Sequence, residues 1–167
     1  MKQNTPIDPE IFEAWYRIHK KMKLMEKIPC NFGLDHPLFL SEIHAIQAIG
    51  NAPDNNVRTI SNILGVTPSA ASQVIKKLTE RGLVRKIRGV RNERDVSIEL
   101  TEKGRIAFTN HEQTHARIQD RIGHINKKER AAIIKLLSAF ESVYDERIGE
   151  LTRGKTARSG GDPRGSL

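Results

Sequence analysis

A chain of 167 residues is long enough for one domain with a real core, and 37% hydrophobic with 29% charged residues describes a globular protein rather than a disordered one. No stretch approaches the roughly 18 apolar residues that a bilayer span requires, the first residues lack the apolar run of a secretory signal, and a single cysteine, Cys30, excludes an internal disulfide. The expected setting is cytoplasmic, without a membrane partner. The net charge of +8 is localised: residues 56–94 hold 9 Lys/Arg against 2 Asp/Glu, whereas 1–55 hold 6 against 7 and 95–151 hold 9 against 10.

In chain order, the apolar positions Ile11, Phe12, Trp15, Ile18, Met22 and Met25 recur at helical spacing, which predicts a helix over 8–27 with Asp8 as N-cap and Pro9 at its first position. The proline-bounded segment 28–37 is a connection. Ser41 caps a short helix through Ile49, closed by Gly50, and a second short helix over 59–64 ends at Gly65. Thr67-Pro68 opens a third that runs to Arg81 and stops at Gly82. The period then changes to two. Residues 83–88 and Val96, Ile98, Leu100 form two strands joined by a turn from Gly89 to Arg94, hence a β-hairpin. Thr101 caps a long helix to about Gly123. Asn126 and Glu129 form a capping box for a last helix reaching Leu151, and the Gly-, Ser- and Arg-rich tail 152–167 is expected to be disordered and basic.

The resulting fold class is mainly α with a small β-hairpin wing: a winged helix-turn-helix lobe over 38–100, flanked by long helices at 8–27 and 101–151, in one domain over 1–151. Those flanking helices carry more apolar stripe than a small lobe covers, which predicts a homodimer built from them.

The basic block coincides with the helix-turn-helix and the hairpin. Projected at 100° per residue, the 67–81 helix has an apolar back of Ala71, Val74, Ile75 and Leu78. Its opposite face carries Ser69, Gln73, Lys76 and Glu80, flanked by Ser72 and Lys77. A helix with that division suits the major groove of double-stranded DNA. Gln73 carries the two-pronged amide that reads adenine, and Thr67, Ser69 and Ser72 offer hydroxyls to bases or phosphates. Lys76 and Lys77 suit backbone phosphates. The hairpin adds Arg88, Arg91 and Arg94, with Arg94 placed to enter a minor groove.

These residues resemble the MarR family of bacterial transcription regulators. The resemblance rests on Gly65-Val66-Thr67-Pro68-Ser69-Ala70-Ala71-Ser72-Gln73-Val74-Ile75-Lys76-Lys77-Leu78, on Arg81-Gly82-Leu83-Val84, on Asn92-Glu93-Arg94 and on Leu100-Thr101-Glu102-Lys103-Gly104. It implies a dimeric, sequence-specific DNA-binding regulator, commonly a repressor, on a palindromic operator, and no enzyme. Two positions depart from the family pattern: Asn92 stands where an aspartate usually steadies the wing arginine, and Arg58 where Ser or Thr usually opens the first helix of the motif.

His111-Glu112-Gln113-Thr114-His115 fits the His-Glu-x-x-His pattern of zinc proteases. Spacing of i and i+4 places both imidazoles on one side of a helix, but proteolysis also needs a third ligand, an open position and a substrate cleft. A protease is therefore the remote alternative. Zinc-sensing MarR proteins are similar in carrying two histidines four apart at this point and another early in the second helix, where this chain has His44. The resemblance implies Zn²⁺, or another divalent transition metal, held by His44, His111 and His115 with Cys30 or Glu26 as a fourth ligand. Glu26 lies closer to Cys30 than the corresponding acid does in those sensors. The plain alternative is His44 at the edge of the core with the pair on a solvated face. Three other readings stay open: a regulator released by a small lipophilic or phenolic effector, an architectural DNA-binding protein, and the protease.

Overall fold

The computed structural model describes residues 8–52, 54–88 and 96–159. It divides into two units, residues 1–117 and 118–167. Among the described residues, six helices and two strands follow in the order α1 (Pro9–Met25), α2 (Leu40–Asn51), α3 (Val57–Leu64), α4 (Pro68–Glu80), β1 (Val84–Arg88), β2 (Val96–Leu100), α5 (Glu102–Ile122) and α6 (Lys127–Ser159). The fold is a mainly α winged helix-turn-helix with a two-stranded hairpin, as the sequence predicts. Among the described residues, no helix is long and apolar enough to cross a membrane.

The core of the first unit draws Ile43, Ile46 and Ile49 from α2, Ile60 from α3, Ile75 and Leu78 from α4, and Leu83, Val84, Ile98 and Leu100 from the hairpin and its approach. Each such side chain contributes about 1.5–3 kcal/mol on leaving water, so the apolar backs of three short helices fix one another. Gly65, at φ +64°, ends α3 in the left-handed conformation, and the Val66 and Gly65 N–H groups donate to the carbonyls of Ser61 and Asn62. Thr67 then caps α4 by accepting from the Ala70 N–H at 3.2 Å, with Pro68 at its first position. Two strong local signals thus set the tight turn between α3 and α4.

The strands pair antiparallel, with Val84 opposite Leu100, Lys86 opposite Ile98 and Arg88 opposite Val96. The hairpin is tied down on both sides. Ile98 N–H donates to the Asn55 carbonyl at 2.7 Å. Thr101 N–H donates to the Leu83 carbonyl, and the Thr101 hydroxyl donates to the Gly82 carbonyl at 2.7 Å while accepting from the Gly104 N–H. Gly104 is required by that closeness, because a Cβ there would run into the Leu83 carbonyl oxygen.

Some details differ from expectation. α2 begins two residues earlier than a Ser41 cap would place it, because the Glu42 carboxylate accepts the Phe39 N–H at 2.8 Å. Phe39 has no side-chain acceptor of its own, so only half of a capping box is present. The segment 28–37 is a connection as expected, but Cys30 and Leu38 exchange two backbone hydrogen bonds across it. In the second unit α6 continues to Ser159, eight residues past Leu151 and into the expected tail. Thr152 donates its hydroxyl to the Ile148 carbonyl within that extension. Residues 160–167 of that tail lie outside the described set. Asn126 and Glu129 do form the expected capping box, with the Asn126 N–H donating to Glu129 at 2.8 Å and the Glu129 N–H to Asn126 at 3.1 Å.

α1 and α6 leave their stripes open. Within the described residues α1 buries no side chain, and Phe12, Tyr16, Ile18 and Met22 are exposed, as are Ile134, Leu137, Val143 and Ile148 on α6.

Candidate nucleic-acid interface and histidine cluster

α4 is divided as the projection predicts. Ala71, Ile75 and Leu78 are buried and Val74 packs against the core from a partly buried position. Thr67, Ser69, Ser72, Gln73, Lys76 and Lys77 are all exposed. Lys76, with 77% of its side chain exposed, has Glu80 as its ion-pair partner among the described residues, at 3.9 Å, one turn along and itself exposed. Such a pair is worth little in water, so Lys76 is free to exchange it for a phosphate.

Lys77 is placed differently. Its ammonium lies 3.2 Å from Glu42 Oε1 and 5.7 Å from the centre of the Phe39 ring. Glu42 is 3% exposed and also receives the Arg81 guanidinium at 2.9 Å. Arg81 donates in addition to the carbonyls of His36 and Pro37 at 3.1 and 3.0 Å. Burial alone would push the Glu42 carboxyl up. The Phe39 N–H, Lys77 and Arg81 outweigh burial and hold it below its ordinary value, so it stays charged. Sequence reasoning missed this network. The available signal was Glu42 itself, an acid among the apolar residues of a core helix.

On the hairpin, Arg85 pairs across the strands with Glu99 at 3.1 Å. Arg88 closes the register opposite Val96. Arg91 and Arg94, expected at the wing tip, lie outside the described residues.

The structure brings His44, His111 and His115 together. The His111 ring centre lies 5.6 Å from that of His44 and 4.3 Å from that of His115, with the Phe32 ring edge-on to His111 at 5.6 Å. α2 supplies His44 and α5 the other two, so the cluster bridges two helices of one unit. His111 is 3% exposed, and both of its ring nitrogens are buried without a hydrogen-bond partner. Burial, then the neighbouring histidines, hold His111 below the ordinary imidazole value, against the pull of Glu112. His44 is lowered by burial and by His115, while Glu26 opposes the shift. Both rings are therefore neutral near pH 7, with lone pairs available.

The other predicted ligands are less convergent. Glu26 follows the end of α1, near enough to His44 to act on it electrostatically. Cys30 is exposed, its thiol 3.7 Å from the Ile28 carbonyl. Gln47, absent from the sequence-based set, donates to Glu112 Oε1 at 2.9 Å and lies 3.3 Å from His115 Nδ1. Among the described residues, no group of three or more His, Cys, Asp or Glu side chains is already arranged to hold a metal ion. The three imidazoles are neighbours.

With this geometry in place, residues 34–95 match the MarR family. That match coincides with the winged helix-turn-helix lobe and takes in 62 of the 167 residues. A 62-residue stretch is 37% identical to the HTH-type transcriptional regulator PetP of Rhodobacter capsulatus and covers 37% of each chain. The match thus spans little more than a third of that regulator's length. Among solved structures, the Streptococcus pneumoniae FabT complex with DNA is similar at a TM-score of 0.66 and 24% identity, over 82% of this chain and 96% of that one. Wild-type Lactococcus lactis ZitR in complex with DNA is similar at 0.64 and 24%, over 84% and 99%; another structure of ZitR is described as a zinc-responsive MarR family member. At these identities the structural likeness shows the fold, and the winged helix-turn-helix lobe is where the sequence match and the fold coincide.

Proposed function

We propose that the protein is a sequence-specific DNA-binding transcriptional regulator that acts as a homodimeric repressor on a palindromic operator. The observation that carries this reading is α4 itself. Its apolar side is sunk in the core while Ser69, Ser72, Gln73 and Lys76 stand clear beside a basic hairpin. Thr67, Ser69 and Ser72 serve bases or phosphates, Gln73 reads adenine, Lys76 holds a phosphate, and Arg88, Arg91 and Arg94 serve the wing. PetP, named a transcriptional regulator, supports a regulatory rather than an enzymatic role. The apolar stripes left open on α1 and α6 support a second copy as partner.

The test starts with the duplex that the purified protein recovers from a random-sequence pool. Replacing Gln73 with alanine is expected to weaken binding to that duplex about ten- to hundredfold, the equivalent of one lost bidentate base contact at about 1–3 kcal/mol. Binding to scrambled duplex should change little. Equal loss on both duplexes, or none on either, would refute base reading by Gln73.

The same reading assigns regulation to a divalent metal. The residues fit such an ion in donor chemistry: three imidazoles, two of them held neutral, and one with both nitrogens unpaired in the interior, where an unpaired polar group costs about 1–3 kcal/mol. His44, His111 and His115 would hold it, with Cys30 or Glu26 completing the set; bound there, the ion supplies a positive charge and a cross-link between α2 and α5. Wild-type protein dialysed against Zn²⁺ and then metal-free buffer is expected to retain zinc in stoichiometric amount by elemental analysis. His111→Ala should retain none. Retention of equal zinc by both proteins would place the ion elsewhere, and operator affinity unchanged by zinc and by chelator would dissociate metal from regulation.

A further inference from the structure

The two adjacent lysines of α4 face the same solvent yet have unlike partners. Lys76 touches one exposed carboxylate at 3.9 Å. Lys77 lies 3.2 Å from a carboxylate that is 3% exposed with its partners in place. Withdrawing a counter-charge from a buried carboxylate costs more than a solvent-exposed phosphate contact returns. Arg81, one turn further along, shares the same carboxylate oxygen and fastens the end of α4 to the carbonyls of His36 and Pro37. The other oxygen, Oε2, is taken by the Phe39 N–H at the start of α2. The last turn of α4 is thus bolted to the first turn of α2 through one side chain.

From this geometry we infer that Lys77 is a positioning residue, held by Glu42 to set the angle of the recognition helix, and that it contributes no phosphate contact. The inference rests on the DNA-binding reading above. It divides two neighbouring cations that sequence alone places in one class: Lys76 releases counterions on binding, and Lys77 does not.

Salt dependence separates the two roles. Each phosphate neutralised on duplex DNA steepens the slope of log affinity against log salt by about 0.9. Affinity for the selected duplex is measured from low to moderate potassium chloride for four proteins: wild type, Lys76→Gln, Lys77→Gln and Glu42→Gln. For Lys76→Gln the slope is expected to flatten by about 0.9. For Lys77→Gln the slope should stay at the wild-type value, while affinity falls several-fold by a factor that is the same at every salt concentration. Glu42→Gln retains an amide oxygen for Arg81 but releases the Lys77 ammonium, so its slope should steepen. The double variant Glu42→Gln/Lys77→Gln should return the slope to that of wild type.

A slope flattened in Lys77→Gln as much as in Lys76→Gln overturns the inference, and so does affinity that Lys77→Gln leaves unchanged. Lys77→Gln decides the matter by itself if Glu42→Gln fails to fold. A wild-type protein that recovers no preferred duplex overturns the DNA-binding reading instead, a result recognisable before any variant is made.

Discussion

Replacing Gly104 with alanine is expected to destabilise the protein by about 3 kcal/mol. The added Cβ meets the Leu83 carbonyl oxygen, a backbone atom that cannot turn aside. Relief requires α5 to withdraw from the strand edge. That would strain or break the bonds by which Thr101 holds the carbonyls of Leu83 and Gly82. Overpacking costs about 1–3 kcal/mol and a lost hydrogen bond about 1. For a chain of this size the melting temperature should drop by about 6–12 °C, at 2–4 °C per kcal/mol. Gly149→Ala is the control: a Cβ there meets only the end of the Arg153 side chain at 3.7 Å, and the substitution should be neutral or mildly stabilising. Equal melting temperatures for the Gly104→Ala and wild-type proteins would show that the start of α5 does not sit against the Leu83 carbonyl as described.

Arg81→Ala carries the second large effect. It leaves Glu42 buried with Lys77 as its remaining cation and strips the carbonyls of His36 and Pro37 of a donor. Breaking a buried pair costs about 3–5 kcal/mol; with Arg81 23% exposed and Lys77 still present, about 2–3 is expected. Arg81→Lys should recover little, because an ammonium cannot span the carboxylate and two carbonyls that the guanidinium fork reaches.

The sign with pH follows from Glu42. Its carboxyl is held below its ordinary value in the folded protein, so its contribution to stability is present above the unfolded value and is lost as pH falls through the folded one. The gap between wild type and Arg81→Ala, measured by urea unfolding, should therefore be widest near neutrality and close on acidification through and below the carboxylate range. A gap that widened with acid would mean that Glu42 is not the partner that matters.

Much of the secondary structure is legible in the sequence because its signals are local. Gly65 before Thr67-Pro68, the alternation of Val96, Ile98 and Leu100, and the Asn126–Glu129 capping box each specify a conformation through atoms only a few residues apart. The division of α4 is equally local, since helical periodicity alone puts Ile75 and Leu78 opposite Ser69 and Gln73. The pairing of His111 with His115 is visible for the same reason.

What the sequence could not reveal lies between distant positions. Whether Lys77 faces a phosphate or a carboxylate depends on Glu42, 35 residues earlier in the chain, and only packing α2 against α4 decides it. His44, His111 and His115 share a neighbourhood because α2 lies along α5, and the orphaned nitrogens of His111 arise from burial rather than from residue type. The sequence by itself determined which segments coil, where they stop and which side of each is apolar, because those follow from contacts within a turn or two. Tertiary structure decided which charges are spent on one another and which are left for a partner, because electrostatic pairing depends on distance and dielectric, and both are set only when the helices meet.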